Sequence, residues 1–169
     1  MGVARLLKER GEAQFSGQIF VVPNFGIQTD HWTEEYWKEL AEKEKNIDET
    51  CAFPAKALRD WSFLITYYQD DLQFKGPHFA RTINIVHKIG DEDKAYITEI
   101  THPVHVTVAD GDNVLDNGEI KKFFETVKTP EDLKAIEHYD SDHFILSDGW
   151  LYEEVADKQC KWLSWVLGK

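Results

Sequence analysis

Long hydrophobic runs are missing from this sequence. No apolar stretch approaches the roughly 18 residues that a membrane-spanning helix needs, so we expect no transmembrane segment. The N-terminal residues lack the long apolar core of a secretory signal peptide. Internal repeats and low-complexity segments are absent as well, so nothing in the sequence predicts a repeat architecture.

Cysteine is scarce. Cys51 and Cys160 are the two cysteines of the sequence, and their separation fits no metal-binding spacing. Two distant cysteines are typical of a protein kept in a reducing compartment. We therefore expect an intracellular, cytoplasmic protein, with association with an organelle or a large assembly left open. No motif predicts a cofactor.

Positive charge is also in short supply. The sequence has 19 lysines and arginines against 31 aspartates and glutamates, which gives a formal net charge of −12. A surplus of negative charge repels nucleic-acid phosphates and anionic membranes. We therefore expect neither nucleic acid nor an anionic membrane surface as a partner.

The 169 residues are enough for one domain with a real core, and 42% of them are hydrophobic. Apolar periodicity predicts alternating helices and strands. The predicted helices cover residues 3–12, 30–45, 77–89, 117–128 and 153–166, and the predicted strands cover residues 18–23, 102–109 and 133–139. This order predicts an α/β fold with about three parallel strands, flanking helices and a long helical insert.

The sequence also predicts where two of these helices begin or end and which residues the last one buries. Thr29 or Asp30 is a candidate N-cap for the second helix, and the run Gly90–Asp93 predicts the end of the third. The last helix is expected to bury Val155, Cys160, Trp162, Leu163 and Val166. The second helix carries an aromatic face, for which two interpretations stay open: ordinary packing, or the rim of an apolar ligand site. That face contains Trp32, Tyr36, Trp37 and Leu40.

The strand at 18–23 has no charged residue and reads as buried on both faces. In a sheet of three strands it would leave an unpaired edge and an apolar face. The chain therefore looks like half of a larger fold, and we expect a partner that covers this edge.

Two chemically useful side chains follow neighbouring strands. Asp112 lies in a tight turn just after the strand at 102–109, and His143 lies just after the strand at 133–139. A carboxylate that orients an imidazole leaves the other ring nitrogen able to take a proton from a nucleophile. The alternatives are that Asp112 serves only the turn, that His143 is a capping or core residue, or that His138, Asp140, Asp142 and His143 bind a metal. His102 and His105 are expected to pack.

The region from Ala109 to the last helix resembles the α/β-hydrolases, and within them the monoacylglycerol-lipase-like serine hydrolases. The residues that carry the resemblance are the turn Ala109-Asp-Gly-Asp-Asn-Val114, the helix, the strand that ends at Tyr139, and His143. Upstream, 15–23 is similar to the strand that enters the family's cap. The resemblance implies the C-terminal half of that fold, with Asp112 and His143 as two members of a catalytic triad. Ala109 and Asp140 stand where the family usually has glycine.

The resemblance also implies a domain plan. Residues 1–23 would form the helix and strand after the nucleophile, residues 24–96 the cap or lid, and residues 97–169 the unit with the triad Asp and His. The family's nucleophile sits in Gly-x-Ser-x-Gly, which this sequence lacks. Met1-Gly2 matches the residues after that serine, so Met1 is a candidate backbone donor of the oxyanion hole.

Two functions follow as hypotheses. In the first, the chain is the C-terminal half of a serine hydrolase that cleaves a lipid-like ester, and the serine comes either from an N-terminal half on another polypeptide or from sequence upstream of Met1. In the second, it is a non-catalytic, hydrolase-derived subunit of a larger assembly, a pseudoenzyme with an incomplete triad. Both hypotheses require a partner at the open sheet edge.

Overall fold

The computed structural model describes residues 16–26, 33–51, 78–147, 149 and 151–168. The predicted helix at 3–12, Met1 and Trp32 lie outside the described residues. In chain order the elements are β1 (Gln18–Val21), α1 (Glu34–Lys43), β2 (Thr50–Cys51), β3 (His78–Phe79), α2 (Ala80–Ile97), β4 (Val104–Ala109), α3 (Asn117–Thr126), β5 (Lys134–Tyr139) and α4 (Tyr152–Leu167). Short 3₁₀ turns cover Glu131–Leu133 and Ile145–Ser147.

The central feature of the fold is a three-stranded parallel sheet of order β1-β4-β5. All six residues of β4 are buried, since it pairs with a strand on each side and is covered on both faces. That environment explains its near-continuous apolar sequence. The predicted α/β fold with about three parallel strands is confirmed.

The two faces of β4 bury different helices. Val104, Val106 and Val108 pack in one cluster with residues of α3 and the end of α2, whereas His105 and Ala109 face α4. Each buried valine or isoleucine of this kind contributes about 1.5–3 kcal/mol as an upper estimate. The sheet is therefore the middle of three layers, and this packing fixes the ends of β4 and β5.

A second, smaller core lies between α1, α2 and the antiparallel pair of β2 and β3. Its buried members are Leu40, Cys51, Ala80 and Ile83, and Tyr36 and Trp37 pack against it. Packing therefore accounts for three of the four aromatic-face residues of α1. The predicted N-caps were wrong, because the helix begins after Thr33, whose Oγ1 accepts a hydrogen bond from the Tyr36 N–H at 3.2 Å.

The helix expected to end near Gly90 continues to Ile97. Gly90 lies where a Cβ atom would come within 3.2 Å of the Asn24 carbonyl oxygen, so close packing rather than helix termination accounts for this glycine. The last turns stay helical because Ile97 is buried in the main core. In α4, Val155, Trp162 and Val166 are buried as expected, but Cys160 and Leu163 are exposed.

None of the helices in the described part of the chain is both long enough and apolar enough to cross a membrane.

Candidate active site

The Asp112 turn is joined to the end of β5 by backbone hydrogen bonds. Ala109 and Tyr139 are paired in the parallel register, so both strands end side by side. The Asp110 N–H donates to the Tyr139 carbonyl at 2.8 Å, and the Gly111 N–H donates to the Ser141 carbonyl at 2.9 Å. The two segments that follow the strands are therefore held in a fixed relation to each other.

Asp112 is locked in this turn by both of its carboxylate oxygens. Its side chain is fully buried. Oδ1 accepts the N–H groups of Val114 at 2.7 Å and of Leu115 at 3.0 Å. Oδ2 lies 2.9 Å from Nδ1 of His143. The residue thus shapes the turn, as one interpretation had it, and also faces the predicted histidine.

The contact with Asp112 fixes the role of each nitrogen of His143. A carboxylate accepts hydrogen bonds, so Nδ1 is the nitrogen that donates to it. Nε2 then lies on the opposite edge of the ring as the acceptor. The His143 side chain is 25% exposed, so this edge is within reach of a reacting group. The structure brings the two predicted residues together, while their catalytic role stays a prediction.

A cavity of about 250 Å³ opens next to His143. Its lining is mostly apolar and comes from the end of β1 and the turn after His143: Val21, Val22, His143, Phe144, Ile145, Leu146 and Ser147. The sequence analysis predicted His143 but missed the other six lining residues, although the apolar run directly after His143 was a signal. Val22 has φ +43°, a left-handed conformation that is costly for a β-branched residue.

A second aspartate–histidine pair lies at the same sheet edge. Nδ1 of His138 is 2.7 Å from Oδ1 of Asp110, and both side chains are about half exposed. Asp142 accepts the Phe144 N–H at 3.1 Å, which caps the following turn. Within the described ranges there is no group of three or more His, Cys, Asp or Glu side chains placed to hold a metal ion. The residues proposed for the metal alternative are thus engaged in other contacts.

Burial shifts two titratable groups near the sheet. It raises the pKa of Tyr139, which lies under the Lys158 ammonium group at 5.0 Å, and so favours the neutral phenol. It lowers the pKa of His105, whose ring packs edge-on against Trp162. Desolvation of the charged form explains the His105 shift. The predicted packing role of His105 agrees with its burial.

No protein-family model and no curated protein matches the chain. Several solved structures, in contrast, match the chain. The monoacylglycerol lipase of Paleococcus ferrophilus superposes with a TM-score of 0.78 at 18% identity, over 97% of this chain and 64% of the lipase. A soluble variant of the monoglyceride lipase of Saccharomyces cerevisiae gives a TM-score of 0.73 at 16% identity, over 97% of this chain and 61% of that protein.

The fold is therefore that of part of an α/β-hydrolase, and the predicted fold resemblance is confirmed. The chain spans less than two thirds of the length of the lipases that it matches. At these identities the likeness shows the fold alone, because one fold carries many activities. Met1, the candidate oxyanion donor, lies outside the described residues, so its role stays a prediction.

Proposed function

We propose that this chain provides the acid–base half of a serine hydrolase that acts on a lipid-like ester. The observation that carries the proposal is the 2.9 Å contact between His143 and the fully buried Asp112 carboxylate. A buried carboxylate with its second oxygen held by backbone N–H groups is a fixed negative charge beside the imidazole. That is the arrangement in which an aspartate orients a catalytic histidine.

In the proposed reaction Nε2 of His143 takes the proton of a serine hydroxyl as its oxygen attacks the ester carbonyl. The resulting imidazolium then gives this proton to the departing alcohol, which leaves an acyl-serine. Water attacks that ester in the second half of the reaction, again with His143 as base and then acid. Asp112 stabilises the imidazolium in both halves. Met1 would donate its backbone N–H to the oxyanion.

The lining of the cavity favours an apolar acyl or alkyl group as part of the substrate. Five of the seven lining residues carry hydrocarbon or aromatic side chains. Each methylene group that a substrate buries there contributes about 0.8 kcal/mol to binding. Because the cavity adjoins His143, an ester carbonyl at its mouth would lie near the catalytic base.

The serine would come from a segment that this sequence does not include and that pairs with β1. The residues of β5 include Glu137 and His138, which are side chains typical of a protected sheet edge. β1 has the sequence Gln-Ile-Phe-Val, without a charge. This asymmetry favours β5 as a true edge and β1 as an internal strand of the functional protein.

A fluorophosphonate probe tests the proposal on the complex purified through a tag on this chain. We expect labelling of a serine on a companion segment, loss of labelling in His143→Ala, and unchanged labelling in His138→Ala. His138 is a matched control because it belongs to the other aspartate–histidine pair at the same edge. Absence of labelling in the intact complex would overturn the proposal and favour the non-catalytic subunit.

A further inference from the structure

An apolar stripe runs along the surface of α4. Its five residues recur at intervals of four, four, three and four, which places them on one side of a helix. They are Tyr152, Ala156, Cys160, Leu163 and Leu167. Tyr152 is 45% exposed, Leu163 is 38% exposed and Leu167 is 72% exposed. We call this surface the α4 stripe.

The contacts of α4 with the sheet show which way the stripe faces. Lys158 bonds Glu137 of β5 at 3.0 Å, and next to it around the helix Trp162 packs on His105 of β4. Trp162 also lies against Gly17, just before β1. Around the axis of α4, Trp162 lies between Lys158 and the α4 stripe, so the stripe is on the side of the helix away from Lys158. It therefore lies on the side of the molecule where β1, not β5, forms the edge of the sheet.

On this same side of the molecule, β1 is less completely covered than the middle strand of the sheet. Within the described residues β1 pairs with β4 alone. Ile19, Phe20 and Val21 are half-buried, whereas every residue of β4 is buried. The side-chain amide of Gln18 is buried, yet neither its nitrogen nor its oxygen has a hydrogen-bond partner among the residues that the structure describes. Buried polar groups are normally bonded, so a further element beside β1 would complete this region.

We infer that the α4 stripe is the docking surface for an amphipathic helix of the same polypeptide that pairs with β1. The inference rests on the proposed companion segment. The matched lipases supply the argument for such a polypeptide, because more than a third of each lies beyond the region that this chain covers. An extra strand at β1 needs a helix over it to cover its face of the sheet, and the α4 stripe is an adjacent apolar surface that is exposed in the described part of the chain.

The stripe also specifies the chemistry of its occupant. From Tyr152 to Leu167 it measures about 22 Å, the length of a helix of roughly 15 residues. The neighbouring flank of α4 carries Glu153, whereas Asp157 is already paired with Lys161 at 2.6 Å, so the docking helix should have a lysine or arginine beside its apolar seam where it faces Glu153. An anionic membrane does not fit, because the chain has a net charge of −12.

Cys160 makes the stripe directly testable. It is an exposed thiol inside the stripe, while Cys51 is buried. In the purified complex we expect Cys160 to react with a maleimide about tenfold more slowly than after dissociation in urea. The matched control is the double variant Cys160→Ser, Lys161→Cys, which moves the thiol to the adjacent, outward position. Its alkylation rate should not depend on the companion.

A benzophenone maleimide on Cys160 then identifies the occupant. We expect cross-links to the apolar face of a helix in the polypeptide that also cross-links to a photoreactive group at Ile19 in β1. Leu163→Asp should weaken binding of that polypeptide about tenfold or more, and Lys161→Asp should not. Cross-links to a second copy of this chain, to lipid, or to a polypeptide that does not reach β1 would overturn the inference, as would equal alkylation rates before and after dissociation.

The two proposals fail separately. A helix on the α4 stripe in a polypeptide that no fluorophosphonate labels supports the inference and overturns the proposed hydrolase function. A labelled polypeptide that reaches Ile19 but leaves Cys160 fully reactive supports the hydrolase function and overturns the inference.

Discussion

The indole of Trp162 meets the imidazole of His105 edge-on, with ring centroids 5.5 Å apart and an interplanar angle of 62°. This contact joins the last helix to the middle strand of the sheet. Because the ring of His105 is buried, its protonation has a cost that the unfolded chain does not bear.

The stability of the fold should therefore fall in acid through His105. Its pKa is lowered in the folded state, so the unfolded state binds the proton more readily. The stabilising contribution is present above the unfolded pKa of about 6.5 and is lost as the pH falls below it, at up to about 1.4 kcal/mol per pH unit. When the purified complex is denatured at pH 7.5 and at lower pH, the free energy of unfolding should fall less with pH for His105→Phe than for the wild type. An equal loss would contradict the prediction, and His138→Gln serves as the exposed control.

Substitutions at Asp112 should separate its charge from its role in the turn. In Asp112→Asn the remaining carbonyl oxygen can still accept from Val114 and Leu115, so stability should change little. Fluorophosphonate labelling should slow by about 10⁴, as for triads that lose the charged acid. Asp112→Ala should slow labelling in the same way. It also leaves two buried N–H groups without an acceptor, so it should lower the free energy of unfolding by about 2 kcal/mol or more. Equal unfolding free energies for Asn and Ala would show that the turn does not depend on this side chain.

Lys134 should matter to stability more than its charge suggests. Its side chain is 4% exposed, and its ammonium group donates to the Phe124 carbonyl in the last turn of α3 at 3.0 Å. A cation there satisfies an open carbonyl and opposes the negative end of the helix dipole. Lys134→Met should lower the free energy of unfolding by about 1–3 kcal/mol. Lys121→Met, at a 75% exposed position of the same helix, should stay within about 0.5 kcal/mol. Similar losses for both variants would refute the prediction.

Val22 should tolerate glycine unusually well. A left-handed backbone costs a β-branched residue about 1–2 kcal/mol, and glycine removes that cost. Val22→Gly should therefore unfold within about 1 kcal/mol of the wild type, or be more stable. Val21→Gly, one residue earlier in β1, has no such relief and should cost about 2 kcal/mol or more. Thermal denaturation of the two variants measures their stabilities. A larger loss of stability for Val22→Gly than for Val21→Gly would contradict the prediction that the backbone of Val22 is strained.

The sheet and the Asp112–His143 contact could be predicted because each has a local cause in the sequence. A strand covered on both faces needs a mostly apolar run without charged residues, and β4, Val-His-Val-Thr-Val-Ala, is such a run. Parallel strands in register end at one edge, so side chains that follow β4 and β5 are neighbours whatever the chain between them does. The fold and the placement of these two residues follow from those rules.

The parts that could not be predicted depend on contacts between distant segments. Gly90 looks like a helix end until the Asn24 carbonyl is placed against it. The cavity joins Val22 to the turn after His143, and no periodicity links these two regions. Cys160 and Leu163 are exposed because they lie on a different side of α4 from the buried residues Val155, Trp162 and Val166.

Because the ends of β4 and β5 are paired, the geometry of the site does not depend on the length of the loop between α3 and β5. It does depend on the length of the two turns that follow these strands. Residues can be inserted or deleted between α3 and β5 without moving Asp112 or His143, because strand pairing resets their positions. A single deletion between Ala109 and Asp112 would instead bring Asn113 to the position from which the buried carboxylate now faces His143. Natural variation in length should therefore collect in the loop after α3 and avoid the two turns that carry the aspartate and the histidine.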